Sequence, residues 1–135
     1  MSSSVARAWR EFPGKYNLEG TKCGNCGKIF FPRRDFCPKC RREGIGKMQK
    51  YKIQREGEVF SFSIIHEAPE CNSFLKPYAV AMVRTKDGVL ISGQLVDVEL
   101  DKITIGMPVR AVLRKLDESG ASGVINYGFK FVPSG

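Results

Sequence analysis

The chain has 135 residues, of which 42% are hydrophobic and 27% charged, and it carries a net charge of +8. Such a composition excludes a disordered chain and a membrane protein, and the length allows one compact domain or two very small modules. No stretch approaches the ~18–20 apolar residues of a membrane helix, and MSSSVARAWREF lacks the features of a secretory or transit leader, so the expected location is cytoplasmic.

The charge is unevenly divided. Residues 1–55 carry 14 Lys/Arg against 4 Asp/Glu, a net +10, whereas residues 56–135 carry 8 against 10, a net −2. A basic half joined to a slightly acidic half suggests two modules with different partners.

In chain order, residues 1–19 read as a helical segment. Val5, Trp9 and Phe12 fall on one helix face, Ser4 suits an N-cap, and Pro13 with Gly14 predicts the stop, so the helix is expected over 5–12. A helix this short is marginal alone, so its Trp9 face must dock on its own chain or on a partner. Trp and Arg are favoured interface anchors. Residues 20–55 comprise a cysteine segment and a basic linker, GIGKMQKYKIQRE, with one strand.

Residues 56–135 change to strand patterning. EVFSFSIIHEA alternates at Phe60, Phe62 and Ile64, which makes Phe60 and Phe62 core candidates. A loop follows over 67–76, then the strand PYAVAMVRT. Asp87-Gly88 predicts a type I′ hairpin turn into VLISGQLVDVEL, where Gly93 marks a bulge or bend. KITIGMP is a connector turning at Gly106 and Pro108. VRAVLRKL, the turn DESGASG and VINYGFKFVP complete five strands, which fit a small Greek-key barrel of the OB type. Tyr78, Tyr127, Phe129 and Phe131 fit either core or surface. The expected class is mainly β: a helical segment, a rubredoxin-like zinc ribbon and a five-stranded OB barrel.

The strongest chemical signal is two CxxC pairs, Cys23-Gly-Asn-Cys26 and Cys37-Pro-Lys-Cys40, ten residues apart. Each pair can turn two thiolates toward one point, and two facing pairs supply the tetrahedral sulfur set of a closed structural Zn²⁺ site. Gly24 and Gly27 suit the sharp backbone bend, and Lys22, Lys28 and Lys39 would offset the charge of four thiolates. Iron of the rubredoxin type shares this ligand set. Four sulfurs leave no open position for activating water, so the metal is structural and stands in for a core that this half lacks.

Catalytic patterns are missing. Cys71 and His66 supply a thiol and an imidazole but no third, orienting group, and no phosphate-cradling or hydrolase motif follows a strand. Arg33–Arg34 and Arg41–Arg42 are either a solvated charged face or a phosphate-recognition element for nucleic acid or coenzyme A. The acidic barrel argues against tracking a nucleic-acid backbone.

The order WREFPGKYNLEGTKCGNCGKIFFPRRDFCPKC, then GEVFSFS, PYAVAMVRTKDGVLISGQL, IGMPV and YGFKFVP, resembles the acyl-CoA-associated zinc-ribbon/OB-fold proteins across nearly the whole chain. Phe31-Pro32-Arg33, Ile105-Gly106-Met107 and the closing Phe-x-Phe-x-Pro carry the resemblance most specifically. It implies a non-catalytic scaffold that joins acetoacetyl-CoA thiolase to 3-hydroxy-3-methylglutaryl-CoA (HMG-CoA) synthase in the mevalonate pathway, or serves related CoA-thioester enzymes. Partner contacts are then expected at Trp9, Arg33, Arg34, Phe74 and Leu75, with Arg33 and Arg34 near the phosphates of bound CoA. A single-stranded nucleic-acid binder is the alternative, and an enzyme acting on CoA thioesters a third reading.

Overall fold

The computed structural model describes residues 5–67, 77–118 and 125–134. Ser4, Cys71, Phe74, Leu75 and most of the expected turn over 117–123 lie outside the described residues. Helix α1 (Val5–Asn17) leads into a three-stranded antiparallel sheet of β1 (Glu19–Cys23), β2 (Ile29–Phe30) and β3 (Met48–Lys52), ordered β2-β1-β3. A closed five-stranded barrel follows, made of β4 (Glu56–Ile65), β5 (Tyr78–Thr85), β6 (Leu90–Leu95), β7 (Pro108–Glu118) and β8 (Ile125–Pro133) in the order β4-β5-β6-β8-β7. The parallel contact between β6 and β8 beside antiparallel neighbours gives the OB arrangement.

Helix α1 runs past its expected stop at Pro13 and Gly14. Proline removes one backbone bond and costs ~3 kcal/mol in a helix interior. The break is spanned by Glu11, which pairs with both Arg7 and Lys15, and by the stacked rings of Phe12 and Tyr16 at 4.8 Å. Packing against β8 and β1 and a bond from Arg55 Nη2 to the Tyr16 carbonyl secure the last turn. The helix ends where Leu18 takes a left-handed φ of +52° while buried. That backbone costs ~1–2 kcal/mol for an L-residue, whereas burying a leucine is worth ~1.5–3 kcal/mol, so burial wins.

Several barrel expectations are corrected. Pairing shifts register between Val59 and Ser61, leaving Phe60 as an extra residue on β4. The bulge keeps Val59 inside and turns Phe60 out, where the Arg84 guanidinium lies 4.5 Å from its ring centroid. Phe62 packs against the core as expected. The β5–β6 connection is not type I′: only Gly88 has positive φ, and Gly88 N–H donates to the Thr85 carbonyl while Thr85 N–H donates to Val89. That is a three-residue loop with Gly88 in the left-handed position. Gly93 makes no bulge. A Cβ there would stand 2.7 Å from the Phe131 ring, so the strand is regular and the glycine admits the aromatic. Phe131 is fully buried, Phe129 partly so, and Tyr127 is open to solvent.

The ribbon and barrel are tied together. Phe31 meets Phe129 edge-on at 5.7 Å. Asp87, at the hairpin tip, accepts from Tyr51 Oη on β3 at 2.9 Å and from Gln54 N–H at 2.7 Å. Leu18 and Ile53 join the same apolar cluster as Val59, Val109 and Phe131.

Candidate metal centre

The two cysteine pairs are held by matching turns. Gly27 N–H donates to the Cys23 carbonyl at 2.9 Å, and Arg41 N–H donates to the Cys37 carbonyl at 2.9 Å. In each, the residue after the second cysteine is left-handed, Gly27 at +74° and Arg41 at +49°. The first turn uses the residue for which that geometry is cheap, and the second accepts strain at an arginine. Gly24 serves differently: its N–H donates to the Lys47 carbonyl at 2.9 Å, which draws the 44–47 segment over the site.

The four Sγ atoms of Cys23, Cys26, Cys37 and Cys40 lie within 4.8 Å of one another. Cys23 and Cys40 are 3.9 Å apart, and Cys26 and Cys37 3.5 Å. A tetrahedron with Zn–S bonds of about 2.3 Å spaces its sulfurs about 3.8 Å apart, so the cluster fits a four-thiolate zinc centre. Zinc is the typical ion of such a ribbon. Cys23 and Cys37 are buried, Cys40 half-buried and Cys26 exposed.

Fixed dipoles surround the sulfurs. The N–H groups of Cys26 and Asn25 bring the Cys23 thiol down to about 6. The Cys40 N–H lowers Cys37 despite its burial. Asn25 Nδ2 donates to Cys40 Sγ at 3.3 Å and favours its thiolate, yet burial and the other three sulfurs push Cys40 up to about 11. A divalent cation is what lets all four ionise together. Lys22 and Lys28 lie over the rings of Tyr51 and Phe30.

Sequence reasoning missed Gly44, which is buried in the short turn Arg41–Gly44. A Cβ on it would lie 3.0 Å from Cys40 Cβ and 3.3 Å from Cys37 Cβ. In the sequence Gly44 stands in a Gly-x-Gly of the basic linker, with no local sign of this role. The sequence marks Asp87 as a turn residue, and the structure makes it the link to the ribbon.

Of the expected contact residues, Trp9, Arg33 and Arg34 lie among the described residues. Trp9 is 70% exposed, so the described part of its own chain leaves most of it uncovered. Arg33 and Arg34 are exposed on the ribbon, with Arg34 over the Phe30 ring at 5.3 Å and its N–H bonded to Thr21 Oγ1. His66 is exposed after β4. No helix among the described residues is long and apolar enough to cross a membrane.

Comparison with known proteins matches residues 10–46 to the ChsH2 rubredoxin-like zinc ribbon domain and residues 51–114 to the ChsH2 C-terminal OB-fold domain. A DUF35 domain-containing scaffold protein of Methanothermobacter thermautotrophicus is 43% identical over 133 residues, covering 98% of each chain. A probable enoyl-CoA hydratase alpha subunit of Thermomonospora curvata is 32% identical over 75% of this chain but only 30% of its own length. Among solved structures, the Ltp2-ChsH2(DUF35) aldolase superposes with a TM-score of 0.72 at 24% identity, covering 100% of this chain and 98% of that one, a likeness of fold.

Proposed function

Because the chain belongs to the DUF35 family of scaffold proteins, with its ChsH2-type zinc ribbon and OB fold, we propose that it is a non-catalytic adaptor for acyl-CoA enzymes. The finer reading is that it joins acetoacetyl-CoA thiolase to HMG-CoA synthase and supports transfer of the CoA-thioester intermediate in the mevalonate pathway. The observation that carries the adaptor role is Trp9: a large aromatic left 70% exposed on a helix whose other side packs on β8 and β1. Exposed aromatics and arginines on a rigid support are the side chains that dominate binding when they fill a partner's pocket, often at ~2 kcal/mol or more each. A near-full-length relative named as a scaffold, and the CoA enzyme subunit among the relatives, support the same direction.

In this reading the N-terminal helical segment (1–19) and the ribbon with its linker (20–55) hold one enzyme through Trp9, Arg33 and Arg34. The barrel (56–135) holds the other through Phe74 and Leu75, and Arg33 and Arg34 lie near the phosphates of bound CoA. The test is pull-down of purified thiolase and HMG-CoA synthase on Trp9→Ala, Arg33→Ala/Arg34→Ala and Phe74→Ala, each checked for zinc content and melting. Each variant is expected to lose one enzyme. Folded variants that all retain both enzymes at wild-type levels would refute the two-surface arrangement.

One observation favours the second reading. Phe60 with Arg84 over its ring stands on the outside of β4 and β5, a stacking pair of the kind that single-strand binders use. Submicromolar binding of single-stranded DNA at physiological salt, lost in Phe60→Ala, would establish it.

A further inference from the structure

The four sulfurs of the metal centre are not equally sheltered. Cys23 and Cys37 are fully buried and Cys40 is half-buried, but Cys26 is exposed. Its surroundings keep the approach open. Gly24, Asn25, Gly27 and Lys28 are all exposed, and a Cβ on Gly27 would meet no atom within 4 Å. A second sulfur is also at hand, because Cys26 Sγ stands 3.5 Å from Cys37 Sγ.

The backbone favours Cys37 over Cys23, the other cysteine of the same pair, as the partner of Cys26. Cys23 closes β1, where its N–H donates to the Lys28 carbonyl and its carbonyl accepts from Gly27 N–H, each at 2.9 Å. Cys37 lies outside the strands, so its sulfur is freer to close the gap from 3.5 Å to the bonding distance of about 2 Å. Cys40 is occupied differently, since Asn25 Nδ2 donates to its Sγ at 3.3 Å and draws electron density from that sulfur. An accessible sulfur beside a resolving one is the arrangement found at oxidation-sensitive thiols.

We propose that Cys26 is a site of reversible oxidation by peroxides, and that Cys37 resolves it into a disulfide that releases the metal. The Cys26 thiolate attacks one oxygen of hydrogen peroxide. An S–O bond forms, the O–O bond breaks, and hydroxide leaves Cys26 as a sulfenic acid. The Cys37 thiolate then attacks the Cys26 sulfur, so that an S–S bond forms, the S–O bond breaks and a second hydroxide leaves. The two cysteines have lost two electrons and the peroxide has gained them. Two of the four sulfurs are then withdrawn from the ligand set, and the folding energy that the metal supplies to the ribbon goes with them. A dithiol reductant returns both thiolates by exchange. This inference goes beyond the adaptor reading and does not depend on it, because its premise is the four-sulfur centre alone.

The test treats the full-length, zinc-loaded protein with hydrogen peroxide. A chromogenic chelator reads zinc release, dimedone traps the sulfenic acid, and non-reducing peptide mapping by mass spectrometry locates the disulfide. The first dimedone adduct is expected on Cys26, the main disulfide between Cys26 and Cys37, and zinc release in step with that disulfide. Dithiothreitol with added zinc should restore the metal content. Because Cys71 is a fifth thiol, the map is repeated on Cys71→Ser and should give the same pair. Cys26→His keeps a ligand that zinc accepts and should lose the fast zinc release, whereas Cys40→His should retain it. A first adduct on Cys23, Cys37 or Cys40 overturns the proposal, as does a main disulfide other than Cys26–Cys37 or zinc release without one. Release from Cys26→His as fast as from the wild type also overturns it. The wild-type map decides the matter even where a variant holds no metal.

Discussion

Gly44→Ala probes the metal centre without altering a ligand. The added Cβ would lie 3.0 Å from Cys40 Cβ, 3.3 Å from Cys37 Cβ and 3.8 Å from Cys23 Sγ. Carbon pairs rest at about 3.5–4.0 Å, so the cysteine carbons must retreat by about half an ångström. They have little freedom to do so, because each is one bond from a sulfur whose metal distance tolerates about 0.2 Å. The strain therefore falls on coordination. Zinc affinity should drop by about 10–100-fold, the range seen when groups just behind a ligand are changed, which is ~1.4–2.7 kcal/mol. Competition against a chromogenic chelator reads the affinity, and the visible spectrum of the cobalt-substituted protein reads the tetrahedral geometry. Gly46→Ala is the control. Its φ of +72° makes alanine costly by ~1–2 kcal/mol, but no atom lies within 4 Å of the new Cβ. It should lower ribbon stability and leave the cobalt spectrum unchanged. A Gly44→Ala protein with wild-type zinc affinity and cobalt spectrum would refute this account of how the 44–47 segment braces the site.

Cys37→Ser should unfold the ribbon while much of the barrel's strand signal persists in circular dichroism, since metal binding supplies the folding energy of so small a sheet. Gly93→Ala should destabilise the barrel by about 1–3 kcal/mol in urea unfolding, because the methyl group would overlap the Phe131 ring. The Asp87 carboxylate raises the Tyr51 phenol by accepting its proton in a hydrogen bond. The neutral phenol is the form favoured by folding, so this contribution is present at neutral pH and is lost as pH rises above the ordinary tyrosine value of about 10 toward the raised one. Ultraviolet titration of Asp87→Ala should show Tyr51 ionising at lower pH than in the wild type, and an unchanged titration would remove Asp87 as the cause.

The metal centre and the class of fold were open to reading in the chain because both are written in short-range spacing. Two CxxC pairs determine which sulfurs can meet, and runs such as PYAVAMVRT and VINYGFKFVP determine that strands form. Whether a residue faces in or out depended on partners far away in sequence. A single extra residue at Phe60 reversed its face, and no local pattern reports a bulge that is set by pairing with Val83 and Met82. Pro13 reads as a helix stop until the docking of α1 on β1 and β8 is known. Gly93 reads as a bend until Phe131 is seen above it. Gly44 and Asp87 carry their roles entirely in contacts made across the fold, one behind Cys37 and Cys40 and the other between Tyr51 and the β5–β6 hairpin.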